Sequence, residues 1–246
     1  MPLYKNKEWL YNKYVNEKLT SNQISKMCDI KEVAICNWLR KFNIPIRSRS
    51  EASHLSKVNH CNLSQETIEW INGELLGDGS LQSFSKYSAK FTYGSKYKEY
   101  IEYVSNTLNY FGIEQVGKIY KRKDNNYSYA SRAYPELLPI YKKWYPKGRK
   151  IVPRDIELTP LVARQWYIGD GCLIHHKKGK PNINLATCSF TIFDVNWLVK
   201  QLVNIGLKTT RLYSSNTIHI WSRSTKKFLE YVGQPKVMCY KYKWEY

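Results

Sequence analysis

The stretch INGELLGDGSLQ, residues 71–82, sets a short apolar, helix-like run directly against Gly-Asp-Gly. Glycine is an ordinary helix stop. An acidic residue is not, because a helix C-terminus already carries partial negative charge. The chain repeats the arrangement in WYIGDGCL, residues 166–173. Asp78 and Asp170 lie 92 positions apart, and neighbouring features recur at nearly the same offset.

YIEYVSNTLNYFGI (100–113) and NWLVKQLVNIGL (196–207) both read as amphipathic helices stopped by glycine, at Gly112 and Gly206. Ser131-Arg132 in YSYASRAYPELL is answered by Ser222-Arg223 in IHIWSRSTKKFL. Several matches in one order indicate a duplicated unit. Each copy reads helix, strand, strand, helix, strand, strand, helix. The strands expected in the first are SLQSFS, SAKFTYGS, GKIYKRK and NYSYASR, and in the second CLIHHK, NINLATC, TTRLYS and TIHIWSR. Alternation within them suits half-buried antiparallel sheets with one basic face. The segment 147–160, KGRKIVPRDIELTP, has the proline and charge content of a linker. The expected divisions are therefore 59–150 for the first unit and 151–246 for the linker and second unit.

Residues 1–58 are different: helical, basic and outside the repeat. A helix is expected over KEWLYNKYVNEK, with Trp9, Leu10 and Tyr14 inward. A short helix capped by Thr20 or Ser21 then runs to Met27, a turn follows at Cys28–Ile30, and a longer helix spans roughly residues 31–42. Val33, Ile35, Trp38, Leu39 and Phe42 take core-like spacings there. This pattern reads as a helix-turn-helix, with Asn37, Arg40 and Lys41 among the residues free to meet DNA. Arg47 and Arg49 on the tail IPIRSRSEA, read as extended, would contact phosphate or the minor groove.

Composition agrees. The 246 residues carry 39 Lys+Arg against 20 Asp+Glu, a net charge of +19, which points to a polyanionic partner. A hydrophobic content of 43% excludes a disordered chain. The six cysteines form no C-x-x-C pair and no zinc-like spacing, so they read as reduced thiols. No apolar run is long enough to span a bilayer, and MPLYKNKEWL lacks the apolar core expected of a signal peptide. These features point to the cytoplasm or nucleoid, with an organelle compatible, and away from secretion and membranes.

Gly73 and Gly77 are four apart, on one helical face, where small residues let two helices touch. If the copies pack through these helices, Asp78 and Asp170 converge at paired helix ends. Two carboxylates and two helix C-termini demand cations. A hard divalent ion such as Mg²⁺, or Mn²⁺ in its place, suits such oxygen donors, and the Gly77 and Gly169 carbonyls would add to them. With basic sheets alongside, the fitting substrate is a phosphodiester.

INGELLGDG and ARQWYIGDG resemble the two signature motifs of single-chain LAGLIDADG homing endonucleases, over roughly residues 64–246. The resemblance implies an α+β fold: two pseudo-symmetric αββαββα units whose antiparallel sheets form a saddle over DNA, packed through paired motif helices. The N-terminal helix-turn-helix is an addition to it. It implies that Asp78 and Asp170 bind the catalytic metals, and that Lys150 (or Lys147) and Lys243 (or Lys241) stabilise charge at the phosphate or position water. It implies a staggered double-strand break in a long asymmetric site, made by a monomer on double-stranded DNA. Candidate DNA contacts are Gln82, Ser83, Ser85, Lys86, Lys121, Lys123, Arg132, His175, Lys177, Arg211, His219 and Arg223. Adjacent residues of a strand face opposite ways, so His175 and His176 would not serve one site. Tyr93 and Thr187 fall near the places of water-positioning residues. Gln165 stands where the first motif has Gly73, so the interface of Gly73, Gly77, Gln165 and Gly169 must be asymmetric or looser there. The alternative is a non-cleaving binder, an intron RNA maturase or a transcription regulator. Retention of both motif acids favours the enzyme.

Overall fold

A computed structural model describes residues 2–56 and 59–246. The chain forms two compact units, Met1–Asn59 and His60–Tyr246. The boundary expected at residue 58 lies outside the described residues.

In the first unit, α1 (Lys7–Tyr11) starts on Asn6, whose side chain accepts the Trp9 N–H at 3.0 Å. It continues through one wider π turn, Asn12–Asn16, rather than as a single regular helix. α2 (Ser21–Met27) opens with a reciprocal Thr20–Gln23 capping box. Asp29, at φ 51°, turns the chain into α3 (Glu32–Lys41). Leu10, Tyr14, Ile24, Ile35, Leu39 and Ile44 form the core. Val33 does not join it and is 66% exposed. At about 100° per residue it lies on the face opposite Ile35, Leu39 and Phe42. The tail is also not extended. Arg49 opens α4 (Arg49–Ser56), and Ser48 and Glu51 cap it: the Glu51 N–H donates to Ser48 Oγ at 3.2 Å, and the Ser48 N–H donates to Glu51 Oε2 at 2.9 Å. Ser-Arg-Ser-Glu is itself an S-x-x-E cap, a helix start within the segment read as extended.

The second unit repeats one pattern. Its first half runs α5 (Gln65–Leu76), β1 (Ser80–Gln82), β2 (Lys90–Ser95), α6 (Lys98–Tyr110), β3 (Tyr120–Lys121), β4 (Tyr127–Ala130) and α7 (Leu137–Trp144). Its second runs α8 (Pro160–Asp170), β5 (Gly171–Ile174), β6 (Asn182–Leu185), α9 (Ile192–Asn204), β7 (Thr209–Leu212), β8 (Thr217–Ile220) and α10 (Ser222–Val232). Each half builds a four-stranded antiparallel sheet, in the orders β1-β2-β4-β3 and β5-β6-β8-β7. Phe91, Tyr93 and Ser95 of β2 point inward, as do Ile218 and Ile220 of β8, while Thr92, Gly94 and His219 alternate outward. One hydrophobic core spans both halves.

The strands are shorter than their patterns. β1 stops at Gln82, which leaves Ser83, Ser85 and Lys86 on the connection to β2. β3 ends at Lys121, before Lys123. His175, His176 and Lys177 lie beyond β5, in the turn to β6, so strand alternation does not apply to them. Arg223 belongs to the first turn of α10, not to a strand. Residues 147–160 are not a loose linker either: Val152, Ile156 and Leu158 are buried in the common core.

Candidate active site

The glycines of α5 and α8 set how closely the helices approach. A Cβ added to Gly169 would stand 3.1 Å from Gly77 Cα, and one on Gly77 would stand 3.3 Å from Gly169 Cα. A Cβ on Gly73 would meet Gln165 Cβ and the Val162 carbonyl oxygen at 2.7 Å each. Gln165 therefore does not loosen the interface. It is fully buried and fills the notch that Gly73 leaves. Its Nε2 donates to Glu74 Oε1 at 2.7 Å, and Tyr100 donates its hydroxyl to the same oxygen at 2.5 Å. Glu74 is fully buried, and burial pushes its carboxyl up to about 8 despite both hydrogen bonds. Sequence reading passed over Glu74. The signal was an acid inside the apolar run ELLGDG.

Asp78 and Asp170 follow at the ends of these helices. Burial, and then the charge of Asp78, raises the Asp170 carboxyl to about 7, against the opposing pull of Lys150 and Lys243. Tyr93 donates its hydroxyl to Asp78 Oδ2 at 3.4 Å. Thr187 is engaged elsewhere, donating to the Asn216 carbonyl at 2.6 Å. Lys150 Nζ donates to the Gly79 and Gly77 carbonyls at 3.0 and 3.4 Å. Lys243 Nζ donates to the Ile168, Gly169 and Tyr167 carbonyls at 2.6, 3.3 and 3.4 Å. Each lysine sets a positive charge on a negative helix end. Burial pulls both down to about 8, while the aspartates oppose the shift. Lys147 and Lys241 are exposed, without a hydrogen bond to these carbonyls.

Among the described residues no three His, Cys, Asp or Glu side chains cluster as a metal site. A cation here would take two carboxylates, with main-chain carbonyls, water or a DNA phosphate completing its shell. The Gly77 and Gly169 carbonyls, expected as ligands, accept from Lys150 and Lys243 at 3.4 and 3.3 Å. The donor set is all oxygen at two negative helix ends, and it suits a hard divalent ion.

The candidate DNA contacts divide. Gln82, Lys86, Lys121, Lys123, His175 and Lys177 are exposed, and Ser85 is half-buried. Arg211 donates to Asn216 Oδ1 at 3.2 Å and lies 4.5 Å over the Tyr213 ring. His219 Nδ1 pairs with Asn184 Oδ1 at 2.8 Å on the outward sheet face. Ser83 instead donates to the Ser85 carbonyl at 2.6 Å, and Arg132 pairs with Glu114 at 2.9 Å. In the first unit, Asn37 accepts from Arg40 at 2.9 Å on the exposed face of α3, and Lys41 lies 4.4 Å over Trp38. Arg47 is not free for DNA. Its guanidinium covers the Tyr14 ring and donates to the Leu19 and Tyr14 carbonyls, because those α1–α2 acceptors need a donor. Arg49 is exposed at the start of α4. The structure adds a cleft of about 430 Å³ beside Asp78, lined by Lys96, Tyr97, Arg122, Asn126, Tyr242 and Lys243. Arg122 belongs to the basic strand GKIYKRK read from the sequence, but Lys96 and Asn126 carry no such signal, and only the fold brings all three beside Asp78.

Two αββαββα halves joined through notched helices, each ending in an acid, define the two-motif LAGLIDADG fold. The chain belongs to the LAGLIDADG DNA endonuclease family, which it matches over residues 68–228. It is 25% identical over 254 residues to an uncharacterized protein of Methanocaldococcus jannaschii, covering 96% of this chain and 97% of that one. It is 28% identical over 162 residues to the cytochrome b mRNA maturase bI2 of Debaryomyces hansenii, covering 60% of each. Among solved structures, the homing endonuclease I-WcaI bound to its DNA recognition sequence superposes with a TM-score of 0.63 at 18% identity, over 74% of this chain and 87% of that one. I-DmoI in complex with DNA and Mn gives 0.45 at 14% identity, over 67% and 97%. No described helix is long and apolar enough to cross a membrane.

Proposed function

We propose that this protein is a site-specific, divalent-metal-dependent DNA endonuclease that makes a staggered double-strand break in a long asymmetric target. The observation that carries this reading is the closure of α5 on α8 at Gly77 and Gly169, which delivers Asp78 and Asp170 to one place. Asp78 and Asp170 would hold Mg²⁺, which supplies water activation and charge neutralisation at the phosphate. Lys150 and Lys243 stand beside those acids to stabilise charge developing on the phosphate oxygens. Tyr93 orients the Asp78 carboxylate. The outward sheet residues, with Gln82, Lys121 and His219 foremost, read base edges. Both halves lie on one chain, so it acts as a monomer on double-stranded DNA. The first unit adds a helix-turn-helix contact through Asn37, Arg40 and Lys41.

The test is cleavage of randomised duplex DNA with Mg²⁺, followed by sequencing of the cut ends. The parent should yield one long asymmetric site, and Asp78→Asn or Asp170→Asn should abolish cutting. If either variant cuts as fast as the parent, the assignment is wrong. The mRNA maturase relative supports a second reading, a non-cleaving RNA binder. Tight RNA binding without any DNA cleavage would favour it.

A further inference from the structure

The two tails that carry Lys150 and Lys243 are each held by the opposite half of the second unit. The C-terminal tail forms a short 3-10 helix, Met238–Trp244, and its sequence belongs to the second half. Its first turn docks on the first half. Glu99, in the first turn of α6, accepts the Met238 N–H on Oε1 at 2.7 Å and the Cys239 N–H on Oε2 at 3.0 Å. Tyr240 follows, edge-on to Tyr97 and Tyr100 with ring centroids 5.1 Å away in each case. Only then does the tail return to its own half. Tyr167 donates to the Lys243 carbonyl at 2.5 Å, and Lys243 Nζ reaches the end of α8.

The segment that joins the halves, and carries Lys150 just after the first half's α7, mirrors this. Lys150 reaches the end of α5, and its Nζ lies 5.9 Å from the ring of Phe190, a residue of the second half. Four residues on, Arg154 donates to Asp194 Oδ1 at 2.9 Å. Asp194 lies in the first turn of α9 and is almost fully buried. Arg154 also stands 5.9 Å from the Trp197 ring. In both cases an acid opening the helix after one half's first hairpin grips the tail bearing the other half's lysine. Glu99 uses two main-chain N–H groups and Asp194 uses a guanidinium, so duplicated sequence alone does not explain the match.

We infer that Glu99 and Arg154 are positioning residues that tie each lysine to the opposite half, so that each of the two strand cuts depends on the half that does not supply its lysine. The inference rests on the nuclease reading above. Loosening one tail disturbs one lysine and leaves Asp78, Asp170 and the other tail in place. A shift of about 1 Å at a reacting group costs as much as a hundredfold in rate, so a loosened but tethered lysine should cost about tenfold on its strand.

The experiment compares the full chain with Glu99→Ala, Glu99→Asp and Arg154→Met. The substrate is a duplex bearing the selected target, with each strand end-labelled separately. Glu99→Ala should slow one strand about tenfold and accumulate a nick, and Arg154→Met should slow the other strand. Glu99→Asp, which keeps the carboxylate, should recover part of the lost rate. Amide hydrogen exchange supplies a readout independent of cleavage. Exchange at residues 238–244 should quicken in Glu99→Ala, and at residues 150–156 in Arg154→Met. Equal slowing of both strands, or unchanged exchange in the tails, would overturn the inference. If the parent cuts no DNA, the nuclease reading fails, and the exchange measurement alone decides whether the tails are held from across the interface.

Discussion

Gly73→Ala tests the helix junction most directly. The added Cβ would sit 2.7 Å from Gln165 Cβ, 2.7 Å from the Val162 carbonyl oxygen and 3.0 Å from Val162 Cα. Carbon pairs rest at about 3.5–4.0 Å, so α5 and α8 must part by nearly 1 Å. None of the three obstacles is the far end of a flexible side chain, so the backbones must move. Such overpacking costs about 1–3 kcal/mol. Alanine returns about 1 kcal/mol of helix propensity over glycine. Parting the helices also stretches the buried Gln165–Glu74 bond, worth about 1 kcal/mol. The net loss is about 2 kcal/mol. For a unit of this size that lowers the melting temperature by about 4–8 °C. The assay is thermal unfolding of the full chain, following the transition of residues 60–246. Gly94→Ala is the control, because its Cβ would meet only the Tyr127 carbonyl oxygen, at an ordinary 3.9 Å. Cleavage should fall more than the melting temperature alone accounts for, since the same parting separates Asp78 from Asp170. Melting of Gly73→Ala within a degree of the parent would refute the close-packing account.

Three further outcomes are expected. Burial raises the Glu74 carboxyl from its ordinary 4.5 to about 8, so the folded state holds its proton more tightly than the unfolded chain. Its contribution is fully present below about 4.5 and is lost as pH rises to about 8, so the parent should weaken relative to Glu74→Gln across that window in denaturant titrations. Asp170→Asn removes a carboxylate destabilised by burial and by Asp78. Without divalent cations it should melt above the parent, and added Mg²⁺ should stabilise it less in the same thermal scan. Arg47→Ala should destabilise the first unit by about 1–3 kcal/mol by leaving two carbonyls without their donor, whereas Arg40→Ala should leave stability unchanged and weaken duplex binding in a fluorescence titration.

The fold was legible because its signals are local and doubled. The period of each amphipathic helix, the Gly-Asp-Gly stops and the repeat offset can all be read from residues near one another. Misreadings came where a local pattern had two solutions. Ser48-Arg49-Ser50-Glu51 reads as an extended basic tail or as a helix start, and capping chooses the helix. CLIHHK reads as one strand, but pairing with β6 ends at Ile174, which moves His175 into the turn. Val33 has a core-like residue type on a solvent-facing phase of its helix.

By itself, the amino-acid sequence determined that this is a duplicated αββαββα protein with an acid closing each motif helix and a strongly basic balance. Periodicity and charge are properties of the chain, and they survive without knowing what touches what. Tertiary structure decided the rest. Glu74 meets Gln165 from 91 positions away, Glu99 meets Met238 from 139, and Lys150 reaches Gly79 from 71. Each partnership depends on how two helices or two halves register in space, to within the reach of a hydrogen bond. That register comes from close packing of the common core, where a single methyl group at Gly73 would force the helices apart, and no local pattern in the chain encodes it.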